Sequence, residues 1–344
     1  MLIGMLFAGL GIYSILNTVV GFFIFVAAMD ASGSATPYLA AGAAFLALVG
    51  LGAGIGLCFV RRPWSRGLGL GLMIGWALWS ILSAGFCTRS QPGPVRLTAM
   101  PYHEIFVGLG VAVAAVVFVR EARRRGALNE QSLIAVTGAL VGGAIGMRLA
   151  GWLETLELET LWLYGSRSIL GGLTGAYIGV LVAKRIIGYR ERTGDLFAPA
   201  VALGMAVGRI GCHLTEAPGR PTDLPWGVHA PPTTPECPGC LTGQAMHPSF
   251  IYEIIFQLAA FAALMWARKR LTRPGELFTL YVAAYAAFRF LVEFTRANET
   301  VWLDLTRPQW FLIPGMLLLA ARLGYGWRRG YYTPLFARKT PLFE

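Results

Sequence analysis

Charge is what this chain has little of. Only 14% of its 344 residues are Asp, Glu, Lys or Arg, against roughly 25% in an ordinary soluble domain. Beside 56% hydrophobic residues and a mean hydropathy of +0.58, that shortage excludes a water-soluble globular fold. Acids are scarcer than bases, 18 against 29, for a net charge of +11. In a soluble protein that excess would point to nucleic acid. Here Lys and Arg gather in short segments between apolar runs, the pattern of cytoplasmic loops, so no nucleic-acid partner is implied. The five cysteines, Cys58, Cys87, Cys212, Cys237 and Cys240, make no disulfide scaffold. Period-2 alternation is missing, which excludes a membrane β-barrel. No P-loop and no GxGxxG occurs, so no nucleotide is implied. The first apolar run starts at Leu2 without a basic n-region and continues to about Met29; it reads as a span rather than a cleavable signal peptide.

What is present is a series of apolar runs of about 20 residues, each long enough to cross a bilayer. They predict an all-α, polytopic transmembrane helical bundle of about ten spans, near 2–28, 37–60, 67–86, 102–119, 132–152, 168–183, 196–212, 249–267, 276–295 and 309–321. Alternate loops are basic, for example Arg61, Arg62 and Arg66, then Arg120 and Arg123 to Arg125. This charge pattern puts both termini in the cytoplasm and the loop 213–247 outside. Glycines recur at spacing four: Gly138, Gly142 and Gly146; Gly171, Gly175 and Gly179; Gly204 and Gly208. Small residues on one stripe predict closely packed helices. Asn17 is the one strong polar group of the first span, and is expected to make a helix–helix hydrogen bond.

Between Gly208 and Glu253 the chain stops being apolar. Arg148, Arg209 and Arg289 lie at similar depth along outward-running spans, against the positive-inside pattern. An arginine inside a span needs a partner or a polar cavity and is a functional candidate. Three at one level fit a shared anionic ligand, and a phospholipid phosphate matches the guanidinium fork; the alternative is that each snorkels to headgroups alone. Tyr285, Arg289, Glu293 and Arg296 fall on one helical face, with Glu293 an i,i+4 partner for Arg289. PTDLPWG at 221–227 is turn chemistry, and Asp223 is placed to pair with Arg220. Cys237-Pro-Gly-Cys240 reads as a loop-closing disulfide in an oxidising compartment. No metal or cofactor is implied; a zinc site would need His229 or His247 to join Cys212.

Several motifs carry a resemblance. GMRL at 146–149, SILGGLTG at 168–175, GRIG at 208–211, Glu216, Gly219 and Arg220, PTDLPWGV at 221–228, HPSFIYE at 247–253 and YAAFRFLVEFTR at 285–296 together resemble the bacterial prolipoprotein diacylglyceryl transferases. The resemblance covers roughly residues 97–330, leaving 1–95 as a three-span accessory region before a seven-span domain at 96–344. It implies a seven-helix protein of the bacterial cytoplasmic (inner) membrane with its site open to the outer leaflet. It implies phosphatidylglycerol and the lipobox cysteine of a prolipoprotein signal-peptide region as partners, with diacylglyceryl transfer to the thiol and release of glycerol phosphate in lipoprotein biosynthesis. Arg209 and Arg289 match the family's two arginines, with Arg148 and Arg220 as further phosphate contacts. Glu216 matches the signature acid and Tyr285 precedes the second arginine by four. Glu293, Gly219, Asp223 and Glu253 are supporting positions.

The sequence also departs from the family pattern. Its signature asparagines are Cys212 and Thr215 here, and its histidine before the paired glycines is Leu170. Substitutes for that base are His247, His213, or His103 with Glu104. A relative that binds lipid or passes it to another acceptor is the second reading. A solute transporter would want an inverted repeat, and none is found.

Overall fold

A computed structural model describes residues 2–30, 36–60, 62–82, 102–155, 168–216, 218–229, 243–271 and 273–336. In chain order the helices are α1 (Leu2–Asp30), α2 (Thr36–Ala47), α3 (Gly54–Phe59), α4 (Pro63–Leu82), α5 (Tyr102–Arg124), α6 (Glu130–Thr155), α7 (Ile169–Ile186), α8 (Gly194–Thr215), α9 (Ser249–Ala267), α10 (Glu276–Val292), α11 (Arg307–Arg328) and α12 (Thr333–Phe336). A π-helical stretch, Leu48–Ala53, joins α2 to α3, so the two make one span. Among the described residues, 8 helices are long and apolar enough to cross a membrane. The protein is thus a polytopic helical membrane protein. α4 and α11 have spanning length, 20 and 22 residues, but fall outside that set. Glycines, serines and Arg66 dilute the first, and Arg307, Arg322 and Arg328 the second.

The chain divides into two units, Met1–Ala99 with Leu128–Arg190, and Met100–Ala127 with Glu191–Glu344. In the first unit the spaced glycines of α6 and α7 meet backbone to backbone. A β-carbon on Gly142 would fall 2.3 Å from the Gly175 carbonyl, and one on Gly179 would fall 2.0 Å from the Gly138 carbonyl. Only hydrogen at these positions lets the helices approach so closely, and close approach is how helices gain dispersion energy in lipid. α1 and α4 cross in the same way at Gly9 and Gly71. The polar contacts of α1 come from Tyr13, whose hydroxyl donates to the Leu46 carbonyl at 3.3 Å, and from Ser14, which accepts from Trp79 Nε1 at 3.2 Å. Asn17, expected to make such a bond, makes none among the described residues; it lies one turn beyond Tyr13.

In the second unit α5 and α8 run antiparallel, with Gly110 packed on the Gly204 carbonyl and Gly211 on the backbone at His103. α8, α9 and α10 share a core of Ala198, Ala202, Leu264, Leu277 and Tyr281. One end of this unit is fastened by buried acids. Asp195 accepts from the backbone N–H of Gly275 (2.8 Å) and Phe278 (3.0 Å), satisfying the start of α10. Glu276 pairs with Arg322 and accepts from Tyr332 at 2.8 Å. Glu121 receives Arg124 and Arg125, each at 2.8 Å, and Arg268. The opposite end gathers the start of α5, the end of α8, the start of α9, the end of α10 and the start of α11. A two-stranded hairpin, β1 (Thr300–Trp302) and β2 (Leu305–Thr306), turns through Leu303 and Asp304, both at positive φ, and delivers Thr306 to this end.

Candidate functional site

The site is built on α10 first. Tyr285, Arg289 and Glu293 recur at spacing four and all are buried. Arg289 Nη1 pairs with Glu293 Oε2. The other carboxylate oxygen accepts from Asn298 Nδ2 at 2.6 Å and from Thr306 Oγ1 at 3.0 Å. Thr306 also caps α11 in a reciprocal box with Gln309, whose Oε1 accepts the Thr306 N–H at 2.8 Å. Gln309 Nε2 then donates to the Phe290 carbonyl at 3.2 Å, tying α11 to α10. Glu293 is therefore a fully satisfied, fully buried anion that fixes Arg289.

The second half joins α8 to α9. Arg209 Nη2 donates to Glu253 Oε1 at 2.8 Å, and its Nε lies 2.7 Å from Oε2. Their side chains are 6% and 0% exposed, so each charge depends on the other. Tyr285 donates to Glu253 Oε1 at 3.3 Å, which links the two halves. Arg296 Nη1 comes within 3.8 Å of Glu253 Oε2. The Phe250 ring lies beneath both Arg296 and Arg209, at 4.9 and 5.9 Å. One turn along each helix, Tyr281 donates to Gln257 Oε1 at 2.9 Å. Three guanidinium groups thus converge on two close carboxylates, with Glu216 also acting on Arg209 and Arg296. Burial first, then the charges of Arg289 and Arg209, lower the pKa of Arg296 from the ordinary guanidinium value.

The remaining sequence candidates take other places. Glu216, the signature acid of the resemblance, is half-exposed with Oε1 3.8 Å from His103 Nε2; it is Glu253 that pairs with Arg209. Arg296, expected on the α10 stripe, lies beyond it, because the helix tightens over Glu293–Thr295 and the chain then extends. Arg220 does not pair with Asp223, which is exposed on the turn; its guanidinium donates to the carbonyls of Arg296 (2.9 Å) and Asn298 (3.5 Å). The adjoining Gly219 packs so closely that a β-carbon would fall 2.0 Å from the Thr295 carbonyl. His247 Nδ1 meets the Tyr252 hydroxyl at 3.2 Å, and that hydroxyl accepts from Trp226 Nε1 at 2.8 Å. Ser249 is the first residue of α9, and its hydroxyl donates to the Thr295 carbonyl at 3.1 Å. His229 faces the Gly243 carbonyl, so neither it nor His247 joins Cys212. Arg148 and Leu170 lie on α6 and α7, in the other unit. Cys237 and Cys240 lie outside the described residues. Asn298, Thr306, Gln257 and Tyr281 were not singled out in the sequence. The last two continue the spacing-four stripes of Glu253 and Tyr285, a signal that was available; Asn298 and Thr306 depend on the hairpin path and left none.

Fold and site together define a polytopic helical membrane protein with a buried, cation-rich polar centre at one end of its second unit. The model of the prolipoprotein diacylglyceryl transferase family matches residues 96–325, and the chain belongs to that family. It is 34% identical over 212 residues to the phosphatidylglycerol–prolipoprotein diacylglyceryl transferase of Bordetella bronchiseptica, covering 57% of this chain and 76% of the relative. The enzyme of the same name from Chromohalobacter salexigens is 33% identical over 225 residues, 60% and 80% of the two chains. That of a Nostoc species is 30% identical over 275 residues, 74% and 93%.

Proposed function

We propose that this protein transfers the diacylglyceryl group of phosphatidylglycerol to the cysteine thiol of a prolipoprotein lipobox. The observation that carries this reading is the gathering of positive charge at buried Arg209 and Arg289, with the partly exposed Arg296 beside them. A site where three guanidinium groups converge favours an anion, and a lipid phosphate satisfies it. The acceptor sulfur, after its thiol proton has passed to solvent, attacks the glyceryl carbon next to the phosphate. A C–S bond forms as the C–O bond breaks, and glycerol phosphate leaves with the electron pair. Arginines already held by Glu253 and Glu293 meet the developing charge without reorganising, which is where such sites gain their rate. Tyr285 keeps Glu253 in register. The loop at Gly219 and Arg220, bonded to the backbone of Thr295 to Asn298, holds the end of α10 and so the position of Arg296.

The charge pattern supports a cytoplasmic-membrane protein with both termini in the cytoplasm and this site toward the outer leaflet. Residues 1–95, which precede the family match, form an accessory region. The test uses purified protein, headgroup-labelled phosphatidylglycerol and a lipobox peptide. Glycerol phosphate released only with the peptide supports the transfer. Lipid retained with no release would replace it with a lipid-binding role.

A further inference from the structure

A departure from the family pattern and a histidine of α5 meet in space. Cys212 stands where the family carries asparagine, and His103 is one of only four histidines in the chain. They are 109 positions apart in sequence, yet α5 and α8 cross at Gly211, where a β-carbon would lie 3.1 Å from the His103 Cα. That close approach brings His103, Cys212 and Glu216 together, with one nitrogen, one sulfur and one oxygen all within 4.8 Å of one another. We infer that His103, Cys212 and Glu216 form a three-ligand site for a zinc-like divalent cation, whose open fourth position takes the acceptor thiol. The role of the fourth position rests on the transfer proposed above; the site itself does not.

The donor chemistry fits. One imidazole, one thiolate and one carboxylate are zinc's usual ligands, and three protein ligands with an open position mark its catalytic sites. Tetrahedral zinc holds such donors roughly 3.4–3.6 Å apart. His103 Nε2 and Glu216 Oε1 are already at 3.8 Å. Contraction falls on a half-exposed glutamate at the end of α8, which is free to adjust. Glu104 Oε1 lies 3.9 Å from His103 Nδ1, on the side of the ring away from Glu216, where a carboxylate orients a metal-bound histidine. Arg209 Nη1 lies 3.7 Å from the Cys212 sulfur, so that sulfur already faces a cation. A thiolate and a carboxylate neutralise the dication, so Arg209 meets a neutral centre.

The site also answers a chemical need. Leu170 leaves the family's histidine position without a base. A thiol bound to zinc gives up its proton to solvent and stays a thiolate. Its sulfur electron pair then forms the C–S bond, the glyceryl C–O bond breaks, and the pair on oxygen leaves with glycerol phosphate. The cation is neither oxidised nor reduced.

The test begins with metal content. Purified protein is stripped with chelator and titrated with zinc, alongside His103→Ala and Cys212→Asn, the latter restoring the family's residue in case alanine disturbs the helix. One tightly bound zinc per chain, lost in both variants, is expected; no binding, or binding kept in Cys212→Asn, overturns the site. Cobalt is then substituted for zinc. A thiolate-to-cobalt charge-transfer band is expected, strengthened by lipobox peptide and not by its Cys→Ser form. A band indifferent to the peptide overturns the thiol role. Metal binding with a peptide-dependent band but no glycerol phosphate release would sink the transfer reading and leave the metal site standing.

Discussion

Glu253 on α9 presents both carboxylate oxygens to the guanidinium of Arg209 on α8, at 2.8 and 2.7 Å, with neither side chain more than 6% exposed. The pair pins two helices at the site end of the second unit. Glu253→Gln keeps the shape and leaves Arg209 as an unpaired buried charge. A loss of about 3–5 kcal/mol is expected, read as a lower unfolding midpoint in detergent. An unchanged midpoint would mean that the pair contributes no stability.

Thr306 serves two partners, Glu293 and the start of α11. Thr306→Val removes the hydroxyl and keeps the volume. It leaves Glu293 short of one donor and α11 without its cap, for about 1–3 kcal/mol. Because Glu293 sets Arg289, transfer activity should fall with stability; Thr306→Ser should restore both. Denaturant unfolding beside the release assay checks this.

Gly219→Ala is expected to abolish or severely reduce activity. Its added methyl meets the Thr295 carbonyl, which is backbone and cannot turn aside. The loop must move, taking Arg220 off the carbonyls of Arg296 and Asn298. Comparison with Gly243→Ala, in open space but at positive φ, separates a packing clash from backbone strain.

In the first unit, Gly142→Leu should force α6 and α7 apart, since a β-carbon there already overlaps the Gly175 carbonyl. The variant should unfold earlier or fail to accumulate. Gly56→Leu, where nothing lies within 4 Å, should be tolerated. Expression and melting in detergent distinguish the two.

The helices were legible because apolar length is a strong signal, and the meeting of α6 and α7 was legible because glycine at spacing four has few other uses in lipid. Arg289 with Glu293 was legible as an i,i+4 pair. Arg209 with Glu253 was not, because they lie on different helices 44 positions apart. Arg296 was placed on the wrong side of a helix end, since nothing in EFTR announces a tightened turn. In the His103–Cys212–Glu216 cluster, Cys212 and Glu216 stand at i,i+4 at the end of α8, but His103 joins them only where α5 crosses α8.

The central claim is that buried arginines stabilise a phosphate leaving group. It is tested most directly by the peptide-dependent release of glycerol phosphate from phosphatidylglycerol in Arg289→Ala and Arg289→Lys. The account predicts that kcat/KM falls by about 100-fold or more in the alanine variant, with partial recovery in the lysine variant, which keeps the charge and loses the fork. Wild-type rates in Arg289→Ala, with the protein folded and metal content unchanged, would contradict it.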